Sequence, residues 1–282
     1  AEGVDKLQRL KTARQYGELA PLLQGVLHVL QHLDRYTHIP QVKQLADQVV
    51  QSREQLEQQI LREFSAASGT LVAPSQQLAE ACLVANVLDH RVRSSIIRQV
   101  LEQQLTEYKA VFAGSERDGW LSYVDLRRKW FLRAAVEFDK TIAQMFPPGW
   151  KVPARLAYAF CQMTHAQLTQ AMQLRTADLD SAAILQAHRL LADMESLIVQ
   201  KYGSSFTRED LYDSGSSSGA GEAATSPTNT SLKQPNFEQE SSPAKLNSSA
   251  VSPYEGAITS CFLPYLHIYI DTVDKRVGEH LD

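Results

Sequence analysis

The stretch DHRVRSSIIRQVLEQQLTEYKAVFAG, residues 89–114, carries the clearest structural pattern in the chain. Its apolar residues recur at intervals of three and four and so line one side of a helix: Val92, Ile96, Val100, Leu101, Leu105, Tyr108 and Phe112. Asp89 stands where an N-terminal cap is expected, because its carboxylate can accept hydrogen bonds from the free N–H groups of the first turn. Gly114 stands where a left-handed residue closes a helix. The stretch therefore predicts a helix between these two residues.

The same spacing recurs along most of the chain before residue 200, where glycine and proline are sparse. Further helical stripes run through residues 19–33, 120–145, 156–171 and 184–198. Pro40 and the Pro147–Pro148 pair mark breaks, because proline cannot continue a helix from its interior. No run alternates with period two, and long helices joined by short connections pack as antiparallel neighbours. We therefore predict an all-α fold, an elongated helical bundle or rod that is coiled-coil-like at its N-terminal end.

A narrow apolar stripe marks the second helix and forms the candidate partner interface, made of Val42, Leu45, Val49, Leu56 and Ile60. Glutamine and charged residues fill the rest of that helix, so its apolar side is too thin for a deeply buried helix. Such a stripe is typical of a coiled-coil seam that meets one or two helices, although Ser52 and Gln59 interrupt the heptad. The partner is either the helix of residues 19–33 or a helix of another subunit, and the sequence favours neither.

Composition divides the chain into four segments. Coiled-coil-like helices occupy 1–64, a helical bundle or rod 65–203, a linker 204–253, and the truncated start of the next helical segment 254–282. The linker is rich in Ser, Gly, Ala, Thr and Pro, so it cannot bury enough apolar surface to offset its ordering entropy and is predicted to be disordered. Beyond it a helical stripe resumes with Leu263, Leu266, Ile270, Val273, Val277 and Leu281.

Three serines of the linker precede proline, namely Ser226, Ser242 and Ser252. In a disordered segment such serines are accessible to proline-directed kinases. They are the candidate phosphorylation sites of the chain.

Composition also limits the classes of partner. With a formal charge of −4 and a pI near 6.1, the chain has no basic field that would attract nucleic acid or an anionic membrane surface. The three cysteines are far apart and lack CxxC spacing, which indicates a reducing compartment such as the cytosol. No membrane span and no signal peptide are expected, and the absence of an initiator Met indicates a fragment.

No group of residues predicts catalysis, a cofactor or a metal. His28 and His32 are four apart, as are Cys161 and His165, so either pair could point two ligands at one ion, but two ligands do not make a zinc site. The short basic cluster Arg127, Arg128 and Lys129 is more typical of a solvated helix face than of a lipid or partner patch. We therefore expect a protein that is not an enzyme.

Several stretches resemble a known family of vesicle-tethering subunits. They are YGELAPLLQGVL at 16–27, IPQVKQL at 39–45, ACLVANVLD at 81–89, MFP at 145–147, FLPY at 262–265 and YID at 269–271. The family is that of the vacuolar protein sorting fifty-three subunits of the Golgi-associated retrograde protein (GARP) complex, which are shared with the endosome-associated recycling protein (EARP) complex. These stretches hold packing and loop residues, so the resemblance identifies no active site.

The resemblance implies a non-catalytic scaffold. Such a subunit assembles with sibling subunits, captures endosome-derived carriers at the trans-Golgi network and promotes SNARE-dependent fusion. SNAREs and small GTPases would be reached through the full assembly, and the location would be cytosolic and peripheral on trans-Golgi network and endosomal membranes. A stand-alone helical adaptor or cytoskeletal binding module is the alternative, and a helical metalloenzyme would rest on His28 and His32 alone.

Overall fold

The computed structural model describes residues 2–36, 38–67, 75–113, 120–212, 252–268 and 270. In these ranges the chain forms α-helices and short 3-10 turns without any strand, in an elongated arrangement, which confirms the all-α prediction. The α-helices are α1 (Glu2–Ala13), α2 (Tyr16–Leu33), α3 (Pro40–Ala67), α4 (Gln76–Val87), α5 (His90–Gln104), α6 (Thr106–Phe112), α7 (Val124–Lys140), α8 (Val152–Leu174), α9 (Ser181–Tyr202) and α10 (Arg208–Tyr212). No helix within the described ranges is long and apolar enough to cross a bilayer.

The N-terminal helices pack onto one another and onto the middle of the chain. Helix α2 lies against α1 and α4, while α3 contacts α1, α4 and α5. Leucines and aromatic residues at helical spacing fill the space between them, with Leu7, Tyr16, Leu19, Leu23 and Phe64 essentially inaccessible. Helices α1 to α3 therefore share a core with the residues that follow, and the division of the chain at residues 64 and 65 stays a prediction.

The quoted stretch 89–114 folds as two helices rather than one. Asp89 caps α5 as predicted, since its Oδ1 accepts a hydrogen bond from the backbone N–H of Arg91 at 2.9 Å. The helix then breaks at Leu105, whose φ of −94° and ψ of 2° leave the helical region. Helix α6 follows and places Tyr108 against the core, with its ring 4.9 Å from that of Phe160. Gly114 lies outside the described residues.

Helices α7, α8 and α9 form the second part of the core, which aromatic side chains dominate. The rings of Phe131 and Phe160 stack with their centroids 4.3 Å apart. Helix α7 ends at Lys140, before the predicted stop at the two prolines, and a 3-10 turn at Ile142–Met145 leads to them. Trp150 turns inward from the 3-10 turn that follows. Its indole N–H donates to Asn86 Oδ1 at 3.1 Å and so joins this core to α4.

Both described ends of the predicted linker are packed. Phe206 and Pro253 are buried, and α10 falls inside the range that was expected to be disordered. Residues 213–251, the rest of that range, lie outside the described residues. Within the described residues the packed part of the chain continues past residue 204 as far as α10, because an aromatic residue such as Phe206 can anchor a polar segment that has few other apolar residues. The linker itself stays a prediction.

Residues 252–268 lie against α8 and α9, which the sequence did not indicate. Their buried side chains are Tyr254, Ile258, Cys261 and Phe262, while the predicted stripe residues Leu263, Leu266 and Ile270 are exposed. The segment winds as a 3-10 helix from Thr259 to Tyr265, which changes the face that each residue presents. Val273, Val277 and Leu281 lie outside the described residues.

Candidate functional site

Residues of α2, α3 and α4 line an apolar groove of about 450 Å³, which we call the α2–α3 groove. Its walls are Leu27, Leu30, Gln31 and Leu33 of α2 with Val42, Ala46, Val49, Val50 and Arg53 of α3, and Val87 of α4 completes it. Val50 remains 51% exposed, and Val29 nearby on α2 is 54% exposed. Apolar side chains on two helices thus face solvent at this end of the chain.

The five residues of the predicted interface divide between the core and this groove. Val49, Leu56 and Ile60 are buried within the chain itself, so the C-terminal part of the stripe packs internally. Val42 and Leu45 are only half-buried. Among the described residues, most of the stripe therefore packs against other helices of the same chain, whereas its N-terminal end at Val42 and Leu45 is partly open to solvent. Whether another subunit contacts that end stays a prediction.

The polar residues that interrupt the heptad belong to a hydrogen-bond network between α3 and the first two helices. The fully buried Ser52 hydroxyl donates to the Gln48 carbonyl at 2.7 Å and accepts from the side chain of Gln8. Gln59 donates to the Tyr16 hydroxyl at 2.7 Å. Positions that fit a coiled-coil seam poorly are therefore occupied by residues that suit contacts within the chain.

Tyr16 is the centre of this network. Its hydroxyl donates to Glu63 Oε1 at 2.8 Å, and Arg14 approaches the same carboxylate oxygen at 3.3 Å. Burial, reinforced by the hydrogen bond to Glu63, raises the pKa of the Tyr16 hydroxyl well above its ordinary value. The phenol therefore stays protonated as a donor at physiological pH.

Neither candidate metal-ligating pair belongs to a larger set of ligands in the part of the chain that is described. The Nε2 atoms of His28 and His32 lie 3.3 Å apart on the exposed side of α2, with their rings in edge contact. Cys161 is fully buried, and burial raises the pKa of its thiol. Within the described ranges, no group of three or more His, Cys, Asp or Glu side chains could hold a metal ion.

The basic cluster on α7 is divided between core and surface. Arg127 is fully buried and donates to the Tyr108 hydroxyl at 2.7 Å and to Gln167 Oε1 at 2.6 Å. Arg128 and Lys129 lie near the Asp125 carboxylate, at 3.8 and 2.6 Å. The cluster is therefore no continuous basic patch. Its periodicity could have revealed this, since Val124, Arg127 and Phe131 share the buried face of α7.

Of the candidate phosphorylation sites, Ser226 and Ser242 lie outside the described residues. Ser252 is half-buried, and its hydroxyl oxygen is enclosed without a hydrogen-bond partner among the described residues. The hydroxyl lies beside Gly203, where an added Cβ would come within 3.3 Å of it. A kinase cannot reach this oxygen while residues 252–268 are in place.

Comparison with known proteins identifies a family over the whole chain. Residues 1–282 match the family model described as "Vps53, N-terminal". The chain is 30% identical to "Vacuolar protein sorting-associated protein 53 homolog" of Caenorhabditis elegans over 203 residues, which cover 71% of this chain and 25% of that protein. It is 26% identical to "Vacuolar protein sorting-associated protein 53 A" of Arabidopsis thaliana over 302 aligned positions, covering 99% of this chain and 36% of the relative.

A second Arabidopsis thaliana relative, "Vacuolar protein sorting-associated protein 53 B", is 24% identical over 97% of this chain and 43% of its own length. The chain thus spans less than half the length of each of these curated relatives. No solved structure matches it.

Proposed function

The chain belongs to the family described as "Vps53, N-terminal", and from that membership we propose that it is part of a non-catalytic scaffold subunit in a multisubunit vesicle-tethering complex. The complex would be the GARP assembly, the related EARP assembly, or both. Its task would be to capture endosome-derived carriers at the trans-Golgi network and to promote SNARE-dependent fusion, in retrograde transport and endosomal recycling. The subunit would associate peripherally with trans-Golgi network and endosomal membranes, and SNAREs and small GTPases would bind through the full assembly.

The observation that carries this proposal is the family match across all 282 residues. The names of the relatives refer to vacuolar protein sorting. The helical architecture suits a scaffold, because long packed helices hold binding surfaces at fixed separations. The chain spans less than half the length of these relatives, so the mechanism of tethering is proposed for a protein of their length.

The α2–α3 groove is the surface that we assign to assembly with a sibling subunit. A single helix laid between α2 and α3 would cover Val42 and Val50 and complete a bundle of the coiled-coil kind. Full burial of one valine side chain contributes about 1.5 kcal/mol. The apolar walls of the groove can therefore supply much of the free energy of such a contact.

The test is the double substitution Val42→Asp and Val50→Asp in the full-length protein. Both residues line the groove and neither is fully buried, so we expect the variant to fold while two charges block an apolar partner helix. Sibling subunits recovered with the tagged protein from cells should fall strongly. The matched control is Val111→Asp with Val136→Asp, on α6 and α7, because those valines are 48% and 49% exposed.

Melting of the isolated chain separates the two possible roles of the groove. If the variant loses the sibling subunits and keeps its melting temperature, the groove is an interface between subunits. If it loses stability, the stripe acts within the chain and the assignment to assembly is wrong. Recovery of no sibling subunits by the wild-type protein would reject the tethering proposal itself.

A further inference from the structure

A second and larger groove lies between α5 and α8, away from the residues assigned above. It encloses about 700 Å³, and we call it the α5–α8 groove. Its apolar lining comes from three parts of the chain: Ile97 and Leu101 on α5 with Leu105 at its end, Tyr158, Ala159 and Met163 on α8, and Phe206 and Leu211 just before and within α10. The segment that holds Phe206 thus packs against the core and also completes the groove.

The polar lining is dominated by cations. Arg91 and Arg98 are exposed on α5, Arg155 is half-buried on α8, and Glu102 is the one acidic side chain among the lining residues. This local excess of positive charge contrasts with the net charge of −4 of the whole chain. A positively charged surface on a protein of net negative charge favours acidic partners, because their charges are complementary.

Arg155 is held in position before any partner arrives. Its Nε donates to the Trp150 carbonyl at 3.1 Å, and its guanidinium carbon lies 5.6 Å from the centroid of the Phe206 ring. A guanidinium that is fixed in this way loses little conformational entropy when it binds a carboxylate. Arg155 therefore belongs to the basic lining of the groove and also contacts its apolar lining at Phe206.

The floor has the dimensions and chemistry of a site for a helix. Helix α5 runs along it from His90 to Gln104, roughly 22 Å at 1.5 Å per residue, which matches a partner helix of about four turns. Met163 adds an adaptable side chain that accommodates different apolar partners. The charged side chains line its edges, an arrangement that suits a partner with an apolar stripe between acidic flanks.

We propose that the α5–α8 groove binds an amphipathic helix of a partner protein, with the apolar stripe of that helix on Ile97, Leu101 and Met163 and its acidic flanks on Arg91, Arg98 and Arg155. This interaction does not depend on the tethering function. It is measured with the isolated chain, so its failure would leave the family-based proposal untouched.

Methionine methyl groups provide a selective probe. The protein contains four methionines, of which Met145, Met172 and Met194 are buried while Met163 is half-buried in the groove. The chain labelled with 13C at the methionine methyl carbons is titrated with a synthetic amphipathic peptide of about 15 residues, leucines at helical spacing flanked by glutamates. We expect the Met163 signal to move with peptide concentration while the other three stay in place.

Charge reversal supplies the decisive variant. Arg98→Glu should weaken binding of the acidic peptide at least about tenfold, because an exposed cation is replaced by a like charge facing the glutamates. Arg133→Glu, on the exposed side of α7 and outside the groove, is the matched control and should bind as the wild type does. A peptide with lysine in place of every glutamate should leave the Met163 signal unchanged.

Four results would overturn the proposal. The first is an acidic peptide that leaves Met163 unmoved or binds the Arg98→Glu variant equally well. The second is a Met163 shift with phosphatidylserine vesicles alone, which would make the groove a membrane contact. The third is a shift on dilution without peptide, which would identify a second copy of the chain. The fourth is a shift when residues 213–251 are replaced by a Gly-Ser linker of equal length, which would identify the chain's own segment as the occupant.

Discussion

The Glu195 carboxylate on α9 accepts a hydrogen bond from the backbone N–H of Ile258 at 2.6 Å, across 63 positions of sequence. The same carboxylate accepts from the backbone N–H and the hydroxyl of Thr259, at 2.8 and 3.0 Å, and from the backbone N–H of Gly256 at 3.3 Å. Backbone N–H groups at the start of a helix have no partner of their own, and a carboxylate satisfies several of them at once. Glu195 therefore fastens residues 252–268 to the helical core.

The first prediction concerns this contact. Glu195→Gln replaces one acceptor oxygen with an amide NH₂ group, which donates and cannot accept, so we expect the free energy of unfolding to fall by about 2 kcal/mol. The thiol of Cys261 reports detachment of the segment, because it is buried and burial raises its pKa to about 12, which suppresses its reactivity. Its alkylation by a maleimide should become several times faster in the variant.

The matched control is Glu255→Gln, which removes an exposed charge from the same segment. Its Cys261 should react at the wild-type rate, since Glu255 lies outside the Glu195 contact. Cys82 should remain unreactive in every variant, because it is buried on α4. Equal Cys261 reactivity in wild type and Glu195→Gln would show that other contacts hold the segment in place.

A second prediction joins phosphorylation to the same segment. The Ser252 hydroxyl is enclosed beside Gly203, so a phosphate cannot be added or accommodated there while the segment is packed. We expect a proline-directed kinase to modify Ser252 faster in the Glu195→Gln variant than in the wild type, as measured by mass spectrometry. Ser252→Glu should raise Cys261 reactivity, and Ser204→Glu, at an exposed position, should not. Equal rates of Ser252 phosphorylation in both proteins would contradict this mechanism.

A third prediction concerns acid. The Lys151 ammonium lies 2.9 Å from both carboxylate oxygens of Asp210. Burial alone would raise the pKa of Asp210, but the hydrogen bonds from Lys151 and Thr207 outweigh it and hold the pKa below its ordinary value. Since the folded state favours the ionised form, its contribution to stability is present above the unfolded pKa of about 4 and is lost as the pH falls through the lower folded value.

Urea unfolding of the wild type and of Asp210→Asn tests the direction of this pH dependence of stability. The stability difference between them should be largest near pH 7 and should shrink as the pH falls below about 4. Asp193→Asn, at an exposed position on α9, serves as the control. A difference between wild type and Asp210→Asn that stays constant with pH would show that the carboxylate contributes through packing rather than charge.

Helical periodicity identified the packed face of α3 but not that of the C-terminal segment, where the predicted Leu263, Leu266 and Ile270 are exposed. At single positions, the polar character of a residue gave a wrong expectation of its exposure. Val49, Leu56 and Ile60 were found as one stripe because apolar residues repeat along α3. Glu195 lies on the buried face of α9 between Leu191 and Ile198, but a carboxylate is ordinarily expected outside. The grooves could not be predicted, because they depend on how neighbouring helices diverge, and a periodic pattern within one helix does not contain that angle.

The last prediction concerns Arg127, another charged residue that helical periodicity places on a buried face. Its guanidinium donates to Tyr108 and Gln167, and it lies 4.6 Å from the centroid of the Phe112 ring. Arg127→Ala would remove the donor that Tyr108 and Gln167 share and would open a cavity in the core, so we expect a loss of about 3 kcal/mol, read as a fall in melting temperature of several degrees.

Two further variants are compared with Arg127→Ala for their loss of stability. Arg128→Ala, the neighbour on the outer side of α7, removes the same side chain from a partly exposed position and should cost less than about 1 kcal/mol. Arg127→Met keeps most of the volume and should recover part of the loss, since a buried charge can be replaced by packed apolar atoms at small cost. Equal destabilisation by Arg127→Ala and Arg128→Ala would mean that Arg127 is a surface residue and that the basic cluster is continuous after all. The predicted order, with Arg127→Ala the least stable, would instead establish Arg127 as the polar centre around which α6, α7 and α8 are packed.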